Sequence, residues 1–266
     1  MTGPFVDIHC HLLPGIDDGA SDWETTLGMA RLAVAEGTRT IIVTPHQLGN
    51  FAHNLGDDIR RRTQELQQVL NQHHIPLEVL PGGDVRIEDR MSEQLLSGEL
   101  MSLGDFRRHV LLELPHELYF PLEGVLAGLE REGMTGILSH PERNRGLLGE
   151  PELLPNLVDQ GCLMQVTAGS LMGPFGPNSQ KLGEWMLSEG LVHFIATDAH
   201  GTRSRRPLMR RAYDRVAELT DTRTADDLCC RNPALVSRGE QVPAGRRARA
   251  RRNGGWRGLL RKTKVA

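Results

Sequence analysis

A chain of 266 residues, 39% hydrophobic and 24% charged, has the composition of a globular protein and can form one large α/β barrel or two small domains. It holds no run of 18 apolar residues and no positively charged leader with an apolar core, which argues against a membrane-spanning helix or a secretory signal and makes the cytoplasm the expected compartment. The formal charge of −3 conceals an asymmetry: residues 245–266, "GRRARARRNGGWRGLLRKTKVA", carry nine Lys/Arg and no acid, so the remainder stands at −12 (−3 minus 9).

Strand-like and helical patterns alternate along the chain. "FVDIHC" (5–10) leads to a helix over 22–36, where Trp23, Leu27, Ala30 and Val34 share a face. "RTIIVTPH" (39–46) reads as a buried strand, followed by a polar helix over 57–72. Further strands are expected at 77–85, 109–115, 135–140, 163–169 and 192–200, and further helices near 89–97, 121–132, 151–160, 178–189 and 205–218. Seven apolar strands separated by helices imply a parallel sheet covered by helices. The fold expected is a single α/β domain, a distorted TIM-like (β/α)7 barrel over residues 1–243. An open doubly wound sheet is the alternative, but no G-x-G-x-x-G or G-x-x-x-x-G-K-[ST] supports nucleotide binding.

The composition shift near Val242 marks the expected end of the domain, with 244–266 a basic, flexible tail. Such a tail is commonly solvated. The sharper reading is docking on an anionic surface, a membrane face or an acidic protein segment, aided by the apolar residues of "WRGLL". Nucleic acid is not an expected partner, because the acidic body repels a phosphate backbone. Cys10, Cys162, Cys229 and Cys230 lack metal-binding or disulfide spacing and read as reduced structural thiols.

The polar residues fall where strands end. His9 and His11 close the first, His46 the second, Asp84 the third, Glu113 the fourth, His140 the fifth, and Asp198 with His200 the seventh. Only the sixth, with Gln165 and Thr167, offers no strong ligand. In an α/β barrel these ends converge on one face. Crowded carboxylates and imidazoles are costly unless paired or bound to cations, so a multinuclear metal site is expected. Residues i and i+2 of a strand share a side, so H-x-H and the D-x-H at 198–200 can each grip an ion. Imidazole with carboxylate suits Zn²⁺, Mn²⁺ or Fe²⁺ better than Ca²⁺. Hydrolysis of a phosphoester through a hydroxide between paired ions follows naturally. Arg143 in "SHPERNR" and Arg203, Arg205 and Arg206 in "RSRRP" offer guanidiniums for phosphate. Asp7 shares the face of His9 and His11 and is expected to orient an imidazole; Asp17 has no assigned role.

The ordered set "DIHCHLLPGIDDG", "EGTRTIIVTPH", "LPGGDV", "LLELP", "ILSHPERN", "LVDQGCLMQV", "LVHFIATDAH" and a terminal "NP" resembles the polymerase and histidinol phosphatase (PHP) superfamily. More narrowly, it resembles the CpsB/CapC/YwqE branch of bacterial metal-dependent protein tyrosine phosphatases. The resemblance spans about residues 5–236. It implies two or three ions, Mn²⁺ foremost. His9, His11, Glu113 and Asp198 would surround the first, Glu113 would bridge to a second held by Asp84 and His140, and Asp18, His46 and His200 would hold a third. It further implies that Arg143 and Arg205 bind phosphate, with Arg206 competing because it precedes Pro207. Where Asp84 stands the family usually has glutamate, and the basic tail has no counterpart there. The implied substrate is phosphotyrosine on the tail of a membrane-bound bacterial tyrosine kinase that governs capsule or exopolysaccharide synthesis. A small-molecule phosphoesterase of the histidinol-phosphate type and a non-catalytic kinase-binding scaffold are the competing readings.

Overall fold

The computed structural model describes residues 3–243; the basic segment expected to dock on an anionic surface lies outside the described residues. Strands β1 (Phe5–Cys10), β2 (Thr38–Val43) and β4 (Glu78–Pro81) form one parallel sheet in the order β1-β2-β4. Strands β3 (His46–Gln47), β5 (Asp84–Arg86), β6 (His109–Glu113), β7 (Thr135–Ser139), β8 (Leu163–Thr167) and β9 (Phe194–Ala196) form a second, also parallel, in the order β3-β5-β6-β7-β8-β9.

The two sheets continue one another, because β3 extends the path of β2 and β5 that of β4. Pro45 has no N–H to give the ladder and interrupts the second strand. Gly82 and Gly83 interrupt the third, and a Cβ on Gly83 would stand 2.3 Å from Gln47 Oε1. Seven strand positions therefore follow one another in chain order. The last meets the first where Asp198 N donates to His9 O at 2.7 Å and His11 N to Ala199 O at 2.9 Å.

Helices α1 (Trp23–Glu36), α2 (Gly56–Gln72), α3 (Met91–Ser97), α4 (Glu123–Arg131), α5 (Arg145–Gly149), α6 (Leu153–Asp159), α7 (Pro177–Ser188) and α8 (Met209–Leu219) fill the connections, near the expected ranges. Asp22 starts α1 by accepting from Thr25 N, and Gly37 ends it in the left-handed conformation that glycine adopts without strain. Val6, Ile8, Ile42, Leu111, Ile137, Leu163, Phe194 and Ala196, contributed by strands from around the ring, form one buried cluster inside it. Helices bury their apolar faces against the outside in two further clusters. All four cysteines are buried and free.

A candidate metal centre at the strand ends

Backbone hydrogen bonds fix the positions of the polar side chains before any side chain interacts. His46 and Asp84 are partners in the β3–β5 register, and Asp84 in turn pairs with Leu111 of β6. Glu113 ends β6, His140 follows β7, and Asp198 and His200 follow β9 beside β1. His140, Asp198 and Arg205 all take left-handed backbone conformations, with φ of 35°, 50° and 45°. Non-glycine residues pay of order 1 kcal/mol there, a cost that persists where surrounding structure imposes it, commonly at functional sites.

The nine candidate ligands assemble in overlapping groups. His9 Nε2 lies 3.2 Å from His11 Nε2, 3.3 Å from Asp198 Oδ1 and 3.6 Å from Asp84 Oδ2. Asp18 Oδ1 lies 3.4 Å from both His46 Nε2 and His200 Nε2. His46 Nδ1 faces Asp84 at 3.3 Å and Glu113 at 3.5 Å, and Glu113 reaches His140 Nε2 at 3.7 Å. Two ligands of one cation with bonds of about 2.1 Å stand about 3.0 Å apart at a right angle and about 3.4 Å apart in a tetrahedron. Most of these separations are long for hydrogen bonds and near those edge lengths.

The donor set also fits cations by its unmet needs. Asp84 is fully buried, yet neither carboxylate oxygen accepts a hydrogen bond, and His200 Nε2 faces Asp18 without a hydrogen bond of its own. Burial and the nearby Asp84 charge push Glu113 up to about 7. Burial opposes ionisation of Asp198 too, but His9, His11, Arg205 and Arg143 hold its carboxyl well below the usual range. His140 is driven down by burial and by Arg143, which leaves a neutral imidazole, the form that ligates metals. The structure groups His11, Asp18, His46 and His200 together, then His9 with His11 and Asp84, His9 with His140 and Asp198, and His46 with Asp84 and Glu113. The trio Asp18, His46 and His200 matches the expected third set. Glu113 groups with His46 and Asp84 and lies 3.7 Å from His140 Nε2.

Residues that the sequence left aside orient these ligands. Asp17 Oδ2 lies 2.7 Å from His11 Nδ1, and Gln165 Oε1 lies 2.9 Å from His9 Nδ1. The strand without a strong ligand thus supplies the partner that turns His9. Asp7 does something other than orient an imidazole: it accepts from Thr197 N at 3.0 Å, from Thr197 Oγ1 and from the backbone N–H of His9 at 3.3 Å, tying β1 to the β9 loop.

Arg143 and Arg205 both donate to Asp198 Oδ2, the latter at 2.5 Å. Both line a cavity of about 180 Å³ with Asp18, His46, Glu113 and His140. Arg206 is exposed and lies outside that lining, and so does Arg203. Of the two neighbours that competed for the phosphate role, Arg205 is the one at the cavity.

The family model for capsular polysaccharide synthesis, CpsB/CapC, matches residues 5–238. The chain is 39% identical over 202 residues to the tyrosine-protein phosphatase YwqE of Bacillus subtilis, covering 75% of this chain and 79% of that one. It is 26% identical over 237 residues to the tyrosine-protein phosphatase CpsB of Streptococcus pneumoniae, covering 87% and 97%. Among solved structures it is similar to a chain from the crystal structures of Bacillus subtilis YwqE and Streptococcus pneumoniae CpsB, described as metal-dependent tyrosine phosphatases. There the TM-score is 0.85 and the identity 34%, over 89% of this chain and 96% of that one.

Proposed function

The chain belongs to the capsular polysaccharide synthesis CpsB/CapC family, and on that premise we propose that it is a metal-dependent protein tyrosine phosphatase. The observation that carries this reading is a cluster of nine imidazole and carboxylate side chains, five of which (Asp18, His46, Glu113, His140 and Asp198) line one cavity together with the guanidiniums of Arg143 and Arg205. Asp18, His46, His200 and His11 would hold one ion; His9, Asp84, Asp198, His140 and Glu113 would hold the others, with Mn²⁺ the proposed metal. Bound there, such cations supply Lewis acidity towards phosphoryl oxygens and make water nucleophilic near neutral pH.

The remaining work falls to the protein. Arg143 and Arg205 match phosphate oxygens with paired N–H donors and orient the ester. Asp17 and Gln165 hold His11 and His9 in the tautomer that presents Nε2 to the cluster. Phenol has a pKa of about 10, so a phosphotyrosine ester needs less protonation of its leaving oxygen than an alkyl phosphate. The proposed physiological substrate is a phosphotyrosine tail on a membrane-bound bacterial tyrosine kinase governing capsule or exopolysaccharide synthesis. Among the described residues no helix is long and apolar enough to cross a membrane.

The test is kcat/KM for a phosphotyrosine peptide against histidinol phosphate, with Mn²⁺ supplied. A preference of tenfold or more for the peptide is expected; the reverse preference, or no turnover of either, overturns the reading.

A further inference from the structure

We infer that Phe175 is a positioning residue for the phosphate-binding arginines, an inference that rests on the phosphatase reading. The Arg143 guanidinium carbon stands 4.2 Å from the centre of the Phe175 ring, and that of Arg205 stands 5.9 Å from it. Both fall within the range over which a cation is attracted to an aromatic face. The same two guanidiniums share a single carboxylate oxygen, Asp198 Oδ2. Two like charges drawn to one atom repel each other, and a carboxylate holds a guanidinium only by occupying its N–H donors. An aromatic face attracts the cation while occupying none of them. The ring therefore steadies both side chains and leaves donors for phosphate oxygens.

The local chain is built around that ring. Gly173 and Gly176, with φ of 96° and 87°, bracket it, and Gly176 N donates to Gly173 O at 2.8 Å. Gly169 makes room, since a Cβ there would lie 2.8 Å from the ring. The segment is tied to the arginine turn by Glu142, which neighbours Arg143 and accepts from Thr167 N at 3.0 Å and from Ser170 Oγ at 2.6 Å.

The test compares wild type with Phe175→Leu, Phe175→Tyr and a series bearing one, two and three fluorines on the Phe175 ring, in the Mn²⁺-loaded full chain. Fluorine withdraws electron density from the face and changes the shape little. The readouts are calorimetric affinity for inorganic phosphate, KM and kcat for an aryl phosphate, and metal content. Phosphate affinity should fall about tenfold in Phe175→Leu, stay within about twofold in Phe175→Tyr, and decline stepwise along the fluorinated series. The loss should appear mainly in KM, with metal content unchanged. A flat fluorinated series, or loss of metal together with affinity, overturns the inference, because the ring then serves only to fill space. If wild type turns over no phosphoester, the phosphatase reading fails by itself, while phosphate affinity across the series still decides the role of Phe175.

Discussion

Asp17 Oδ2 lies 2.7 Å from His11 Nδ1 and also accepts the backbone N–H of His46 at 3.1 Å, so one buried carboxylate sets two candidate ligands at once. Its other oxygen accepts Gly19 N at 2.9 Å, which locks the turn that carries Asp18. Burial opposes the charge, yet Asp17, with a further contribution from Asp198, raises His11 to about 9.

Asp17→Asn keeps the shape and removes the charge. Loss of such an orienting partner typically costs 10–100-fold in metal affinity. Metal titration of the variant should show a fall of about that size, with activity largely recovered at saturating metal. Gln165→Leu should act in the same way through His9. Unchanged metal affinity in both would mean that neither contact sets its imidazole.

Asp18 was assigned through the family resemblance and Asp17 was not, because the turn itself does not distinguish them. Both acids follow the same Pro-Gly break, and nothing in the local pattern says which of two adjacent side chains turns inward. The strand ends were legible because the barrel order converts one histidine or acid per strand into a common face. Gln165 escaped notice because a neutral amide carries no metal-binding signature; its role appears only once β8 and β1 lie in one ring. Arg205 and Arg206 are likewise adjacent and chemically identical, and only the fold separates them: Arg205, in left-handed backbone, reaches Asp198 and the cavity, whereas Arg206 is exposed. The breaks at Pro45 and at Gly82–Gly83 were visible as residues, although strands read as continuous runs passed over them.

Arginine substitutions separate those neighbours. Replacement of a planar guanidinium by lysine removes the bidentate match to phosphate, and a hydrogen bond to a charged group contributes about 1.5–3 kcal/mol. Arg143→Lys and Arg205→Lys should each lower kcat/KM on a phosphotyrosine peptide by about 10–100-fold. Arg206→Lys should stay within about twofold. Equal losses at 205 and 206 would show that the exposed arginine also reaches the substrate.

Metal removal should affect stability as well as turnover. Asp84 and Asp198 are buried carboxylates whose charges act on Glu113, and divalent cations relieve their mutual repulsion. A ligand at 100 times its Kd stabilises a fold by about 2.7 kcal/mol, and 1 kcal/mol moves Tm by about 2–4 °C in a domain of 150–250 residues. Chelation should therefore abolish phosphatase activity and lower Tm by about 5–10 °C, with both restored by Mn²⁺. An unchanged Tm would mean that the cluster binds cations too weakly to matter to the fold.

Acid stability rests on histidines at the opposite end of the strands. His109, at the start of β6, is held down to about 4 by burial and by Arg108, and His193, just before β9, is held to about 4 by burial. His193 Nδ1 accepts Met164 N at 3.1 Å, a bond available only to the neutral ring. Both groups are thus neutral when folded, whereas the unfolded chain takes up their protons near pH 6.5. Their contribution is intact above about pH 6.5 and is lost as pH falls towards 4, by up to about 3 kcal/mol for each histidine. Urea unfolding of chelator-treated wild type between pH 7 and pH 4 should show that decline. His109→Gln should lose less stability over the same interval, the gap between the two curves narrowing as pH falls. Parallel curves would mean that His109 is free to take up its proton in the folded state.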